Sequence, residues 1–196
     1  MIDHFSKIQM PAKHNDISLF VINEEDISSQ LDRAIREILV VCFPADREYF
    51  QRQSFWHSPA VYRVVGKNNK GSIVAHTAIV ERTVIVGPDL SKVRVGGIQG
   101  FCVLQEYRSI GLSNKMMSVA MAEGGRRGFD VGLLFCRKQL EKVYAGMGWR
   151  KLDAAVYMTD DKKGKTLIPA WNITMFYPLR AWQLPPGDID LAGADW

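Results

Sequence analysis

The chain has 196 residues, 47% of them hydrophobic and 23% charged, with a formal net charge of +4. That length allows a sizeable buried core, and that balance is the one of an ordinary globular domain. The positive excess is small and its Lys and Arg residues fall in no recognisable nucleic-acid module. No apolar run reaches membrane-spanning length and the first residues lack a signal-peptide pattern, so a cytoplasmic protein with no nucleic-acid partner and no membrane span is expected.

Residues 1–15 carry little periodic signal, 17–22 read as a first strand, and Glu24, Glu25 and Asp26 as a polar turn. Ser28 or Ser29 suits a helix N-cap, because a short hydroxyl can accept from a first-turn amide. Leu31, Ile35, Ile38 and Leu39 then recur at three- and four-residue steps, the stripe of a helix that must stop before Pro44. A second short helix is expected over residues 45–56, with Tyr49, Phe50, Phe55 and Trp56 as an aromatic group that either closes one end of the core or underlies an acceptor.

Residues 60–65, 73–86 and 93–103 read as strands, joined by turns at 67–71 and at Gly87, Pro88 and Asp89. Leu112, Met116, Val119 and Ala120 place a helix over 112–125, with Gly124, Gly125 or Gly128 as its left-handed cap. Residues 131–135 form a buried strand, parallel to 98–103 if that helix is the crossover. A helix over 139–147 and strands over 150–158 and 173–177 follow. Residues 182–196 carry no period long enough to assign. Cys42, Cys102 and Cys136 are an odd number without metal-ligand spacing, so free buried thiols and no metal are expected. With no repeat or linker, residues 1–196 are expected to form a single domain, with 182–196 as a C-terminal tail.

The rest of the chain is organised around residues 95–122. A short apolar strand there runs through Gln105, Glu106, Tyr107, Arg108, Ser109, Ile110 and Gly111 into the helix that starts at Leu112. The first amides of a helix have no partner inside it and sit at the positive end of its dipole, so a phosphate or pyrophosphate fits there. Arg108, Gly111 and Ser113 stand at the first, fourth and sixth places of the pattern Arg/Gln-x-x-Gly-x-Gly/Ala. The stretch resembles the acyl-coenzyme A signature of the GNAT N-acetyltransferases, with Ser113 where the family has Gly or Ala. Tyr144, Gly148 and Trp149 resemble the family's Tyr-x-x-x-Gly-Phe/Trp segment.

The resemblance implies an α/β (α+β) fold with a mixed central sheet of about seven strands flanked by helices, in which two neighbouring parallel strands splay apart. It implies an enzyme, with acetyl-CoA as acyl donor bound by Phe101, Cys102, Val103, Arg108, Ser109, Ile110, Gly111, Leu112 and Ser113. An amide near Phe101, Cys102 or Val103 would stabilise the charge that grows on the thioester oxygen. Tyr144 is expected to protonate the leaving thiolate, since a phenol stays protonated at neutral pH. The family's Glu base is replaced by Gln99, which cannot take a proton but can hold a water. His76 and Glu81 are the other base candidates, each with a structural alternative, and the base stays open.

Two subgroups look nearest. Aminoglycoside 2'-N-acetyltransferases share the look of residues 73–80, of Phe43, Pro44, Ala45 and Asp46, and of a terminal Trp. Nodulation protein A, which acylates chitin oligosaccharides, is similar at residues 110–113 and 185–188. Both imply a small-molecule amine acceptor on an amino sugar. Asp46, Asp195 and Trp196, with Asp188, Asp190 and Trp182, would bind it if the tail folds back over the acceptor. A longer acyl chain delivered by an acyl carrier protein, a homodimer, and a degenerate coenzyme A-binding sensory module without turnover are alternatives left open.

Overall fold

A computed structural model describes residues 6–9 and 17–196. In chain order the elements are β1 (Ser6–Gln9), β2 (Ile17–Asn23), α1 (Ser29–Cys42), α2 (Arg47–Phe50), β3 (Tyr62–Asn68), β4 (Ile73–Val86), β5 (Ser91–Val103), α3 (Leu112–Arg126), β6 (Val131–Arg137), α4 (Glu141–Ala145), β7 (Arg150–Leu152), β8 (Val156–Asp160), β9 (Gly164–Leu167), β10 (Asn172–Pro178) and β11 (Ile189–Asp190). This is the mixed α/β class expected. The strand expected over residues 150–158 divides, because β7 pairs with β10 whereas β8 pairs with β9 and β11. The second helix shortens to one turn, α2. The expectation for residues 1–15 lies mostly outside the described residues, apart from β1. Among the described residues no helix is long and apolar enough to cross a membrane.

By contacts the chain divides into two compact units, Met1–Ile79 with Gln99–Ala120, and Val80–Ile98 with Met121–Trp196. In the first, β1, β2, β3 and β4 follow one another as antiparallel neighbours. The Ser28 hydroxyl accepts from the Leu31 amide at 3.2 Å and starts α1. That helix turns Ile35, Ile38 and Leu39 onto Ile22, Phe50, Val65 and Cys102. Full burial of each such side chain contributes ~1.5–3 kcal/mol. The helix stops at Cys42, where the Phe43 amide closes onto the Leu39 carbonyl at 2.8 Å and Pro44 follows. On α3, the Ala120 carbonyl accepts from the buried Tyr62 hydroxyl at 2.7 Å.

In the second unit, β5 and β6 are parallel and pair at Val95↔Val131, Gly96↔Gly132 and Gly97↔Leu133. The ladder ends there, although β5 runs on to Val103 and β6 to Arg137. β6 meanwhile stays paired with β10 along its whole length. Residues 182–196, which carry no period, are built into this unit. β11 lies between β4 and β8, and Leu191 and Trp196 join Val84, Val95, Leu133 and Phe176 in its core. A two-residue strand is too short to show alternation, so only its neighbours reveal it. Gly97 explains the seat of Trp196: a Cβ there would stand 2.3 Å from the indole.

Gly97→Ala is expected to lose ~1–3 kcal/mol by overpacking, read from urea denaturation. In the Gly97→Ala/Trp196→Ala double variant the two losses should add to less than their sum; strict additivity would show that the ring does not lie on Gly97.

Candidate active site

The strand-to-helix junction is held by main-chain bonds at both ends. After β5 the Leu104 amide donates to the Val74 carbonyl at 2.9 Å, and a single 3-10 turn, Gln105–Tyr107, follows. Ser109 and Gly111 then take positive φ angles of 63° and 79°. Ser109 is a non-glycine residue in that region, a local strain of the kind found at ligand-binding turns. At Gly111 a Cβ would meet nothing within 4 Å, so the backbone angle and not space demands glycine. The Gly111 carbonyl accepts the first helical bond, from Lys115, at 3.1 Å. The amides of Leu112, Ser113 and Asn114 therefore precede the first helical donor, at the positive end of a helix of 15 residues. Leu112 is buried and roots that end. Arg108 is exposed, and its Nε donates to the Val103 carbonyl at 2.9 Å.

Upstream on β5, Gln99 is buried and both ends of its amide are engaged. Oε1 accepts from the Trp56 amide at 2.6 Å and Nε2 donates to the Ser58 carbonyl at 2.7 Å. The next residue, Gly100, has φ +56°, and its carbonyl takes a bond from His76 Nδ1 at 3.0 Å. His76 is thus protonated on Nδ1, and its Nε2 is a buried acceptor with no partner among the described residues. Desolvation, reinforced by the charge of Arg63 and opposed by the Gly100 bond, lowers its pKa to about 3. The ring is neutral at pH 7 but only weakly basic. The carboxylate of Glu81, in the second unit, is ion-paired to Arg94 at 2.6 Å.

Tyr144 lies in α4 of the second unit, its ring edge-on to Trp149 at 6.4 Å. Burial, with the nearby Cys136 thiol group, pushes its phenol well above the usual range, which keeps it a protonated donor. Gly148, at φ +91°, turns the chain from α4 into β7 beside the Tyr177 ring, which an added Cβ would meet at 3.1 Å.

A family model described as an acetyltransferase (GNAT) domain matches residues 22–152. The chain belongs to the GNAT acetyltransferase family. It is accordingly a GNAT-type N-acyltransferase. Three solved structures share the fold. One is the YhbS GNAT N-acetyltransferase of Escherichia coli in complex with CoA, at TM-score 0.61 and 14% identity, covering 90% of this chain and 89% of that one. An acyl-CoA N-acyltransferase of Pseudomonas aeruginosa has TM-score 0.59 and 13% identity over 82% and 99%. ElaA of Escherichia coli has TM-score 0.58 and 14% identity over 82% and 99%. At such identities the likeness is one of fold. Among curated proteins none matches the sequence.

Of the residues expected to meet an acceptor, Asp46 stands at the start of α2 in the first unit without a side-chain capping bond, on a groove lined also by Glu48, Tyr49, Arg52 and Gln53. Asp195 and Trp196 belong to the second unit. The indole of Trp196 is core, packed 5.2 Å from the Phe135 ring, and Asp195 bears electrostatically on Arg82. Asp190 is ion-paired to Lys165 at 2.6 Å, and the exposed Trp182 lies under the Arg150 guanidinium at 4.1 Å. Of the aromatic group of residues 49–56, Tyr49, Phe50 and Trp56 form a cluster: Trp56 stacks on Tyr49 at 4.9 Å and meets Phe50 edge-on at 4.6 Å.

The sequence reading missed the polar clamp that holds this cluster. Arg63, 1% exposed, grips Glu24 with two bonds of 2.7 and 2.6 Å and donates to the Ser54 carbonyl and hydroxyl at 3.0 and 2.9 Å. Ser54 donates on to Asp32, and Asp32 pairs with Arg36, which donates to the Gln51 carbonyl at 2.6 Å. The available signal was an arginine inside the apolar run of β3, since a buried charge requires partners.

Two outcomes follow from this geometry. Gln99→Leu removes the acceptor of the Trp56 amide, at ~1–3 kcal/mol for a buried group left unsatisfied; amide exchange at Trp56 should accelerate while exchange in α3 stays slow. For His76 the unfolded chain takes up a proton near pH 6.5 and the folded chain only near pH 3. Its contribution to stability is therefore complete above pH 6.5 and is lost as pH falls toward 3, with a slope approaching ~1.4 kcal/mol per pH unit. Urea midpoints of wild type should fall more steeply across that window than those of His76→Gln; parallel curves would refute the assignment.

Proposed function

We propose that this N-acyltransferase moves an acyl group, most simply acetyl, from an acyl-coenzyme A to a primary amine on a small cationic or amino-sugar acceptor. The observation that carries the donor half is the turn at residues 108–113. Two positive-φ residues, Ser109 and Gly111, lead into unpartnered amides at a helix start, and those groups suit a diphosphate. Coenzyme A supplies the activated thioester. In this reading the amides of Leu112 and Ser113 bind its pyrophosphate, with Ile110 and Ser109 shaping the turn and Arg108 buttressing it through Val103. Main-chain groups of Phe101, Cys102 and Val103 orient the thioester carbonyl and offset the negative charge that grows on its oxygen. The Tyr144 phenol returns a proton to the leaving thiolate.

The acceptor half rests on less. Asp46 offers a half-buried carboxylate beside the Tyr49–Trp56 stack, a suitable setting for an ammonium group on a flat sugar ring. Asp195 is a second carboxylate assigned to the acceptor, and Trp196 enters this reading as the packed ring that fixes its neighbour. Gln99 acts by holding residues 56–58 in place. A carrier-protein donor with a longer acyl chain keeps the same chemistry.

One observation favours a second reading, a coenzyme A-binding sensor without turnover. Gln99 replaces a carboxylate and is committed to main-chain groups, and His76 is too weak a base to deprotonate an alkylammonium.

Thiol release from acetyl-CoA against a panel of polyamines and aminoglycosides decides between them. Turnover is expected, and Tyr144→Phe should lower kcat by ~10²–10⁴-fold with little change in coenzyme affinity. Binding without release on any amine would favour the sensor. Coenzyme A at a hundredfold over its dissociation constant should stabilise the fold by ~2.7 kcal/mol; no shift would reject both readings.

A further inference from the structure

The first unit brings together two thiols that lie 60 positions apart in the chain, and the acyl-transfer reading uses neither sulfur. Cys42 is the last residue of α1 and is half-buried; Cys102 is on β5 and 7% exposed. Cys102 belongs to the core cluster beneath α1, Cys42 packs against that cluster, and the two thiols are near enough to perturb each other's ionisation. The exposed Arg108 is close enough for its positive charge to favour the Cys42 thiolate. Both are free thiols. A partly exposed sulfur near a cation, with a second, buried sulfur as its neighbour, is the arrangement in which one cysteine reacts and the other resolves the product.

We propose that Cys42 and Cys102 form a reversible oxidation site at which a peroxide reacts with Cys42 and Cys102 completes an intramolecular disulfide.

The Cys42 thiolate attacks a peroxide oxygen. The O–O bond breaks, and the departing hydroxide takes up the thiol's former proton as water, leaving Cys42 as a sulfenic acid. The Cys102 sulfur then attacks the Cys42 sulfur, the S–O bond breaks, and the hydroxide leaves with the Cys102 proton as a second water. Two thiols and one hydrogen peroxide thus give one disulfide and two waters, and a dithiol reductant reverses the change. The order of attack follows from the surroundings. Cys42 is lowered to about 7 by the hydrogen bond from Cys102 and the charge of Arg108, against its own partial burial and the opposing charge of Glu106. Cys102 is held well above the usual thiol range by that same bond and by burial. The product would tie the end of α1 to β5, next to the turn at residues 108–113. Neither step requires the coenzyme, so the site stands or falls apart from the acyl-transfer reading.

The test uses the whole chain in a Cys136→Ser background, so that these are the only thiols. After peroxide, intact mass should fall by two hydrogens, peptide mapping should find the 42–102 cross-link, and dithiothreitol should restore the original mass. With Cys102→Ser added, dimedone should label Cys42; with Cys42→Ser added, Cys102 should stay a thiol under the same exposure. Iodoacetamide labelling of Cys42 in the otherwise wild-type chain should titrate with a midpoint about 7. A midpoint near the free-thiol value of ~8.5, oxidation to sulfinic acid without a 42–102 cross-link, or dimedone on Cys102 rather than Cys42 would each overturn the proposal. The cross-link and the titration are read without altering either cysteine, so a variant that fails to fold does not decide the matter.

Discussion

A helix begins with N–H groups that no carbonyl of its own can receive, and at α3 those groups are delivered by a turn with little freedom to relax. Its start is pinned by the Leu104 amide on Val74, its far end by buried Leu112, and between them Ser109 and Gly111 hold left-handed backbone angles. Open amides of this kind need no protein partner, because water can satisfy them. They are main-chain groups, so a serine at position 113 leaves them in place.

Around the same strand, buried polar side chains do a different job. Gln99 and Arg63 do not face solvent; they hold residues 54–58 at Ser54, Trp56 and Ser58, and Arg63 is balanced by Glu24 with both carboxylate oxygens. Burying a charge is tolerable only when it is paired and hydrogen-bonded, and here Nε, Nη1 and Nη2 each donate, in four bonds together. The result is an aromatic platform of Tyr49, Phe50 and Trp56 whose loop is fixed by polar contacts from below as well as by ring packing. Gln99, bonded at both ends of its amide, thereby has a structural reason to be a glutamine.

The second unit shows the same economy in its C-terminal residues. Ile189 and Asp190 complete a sheet edge beside β4 and β8, and Trp196 lies on a strand that is glycine at the point of contact. Along β5 and β6 the parallel ladder stops after Gly97↔Leu133, and the backbone beyond it must find other partners.

What the sequence settled by itself was local. Apolar runs bounded by turn residues located the long strands, three-to-four spacing located α1 and α3, and the cap was narrowed to Ser28 or Ser29. The spacing of Arg108, Gly111 and Ser113 behind a strand led to the family, because the signal for each lies within a few residues of itself. Contacts between distant positions were decided only by tertiary packing: Arg63 with Glu24 and Ser54, Gln99 with Trp56 and Ser58, Trp196 on Gly97, and Cys42 with Cys102. Nothing in the period of a strand says which side chain waits across the sheet, and the weak basicity of His76 follows from its burial beside Arg63, a surrounding that no neighbouring residue in the chain announces.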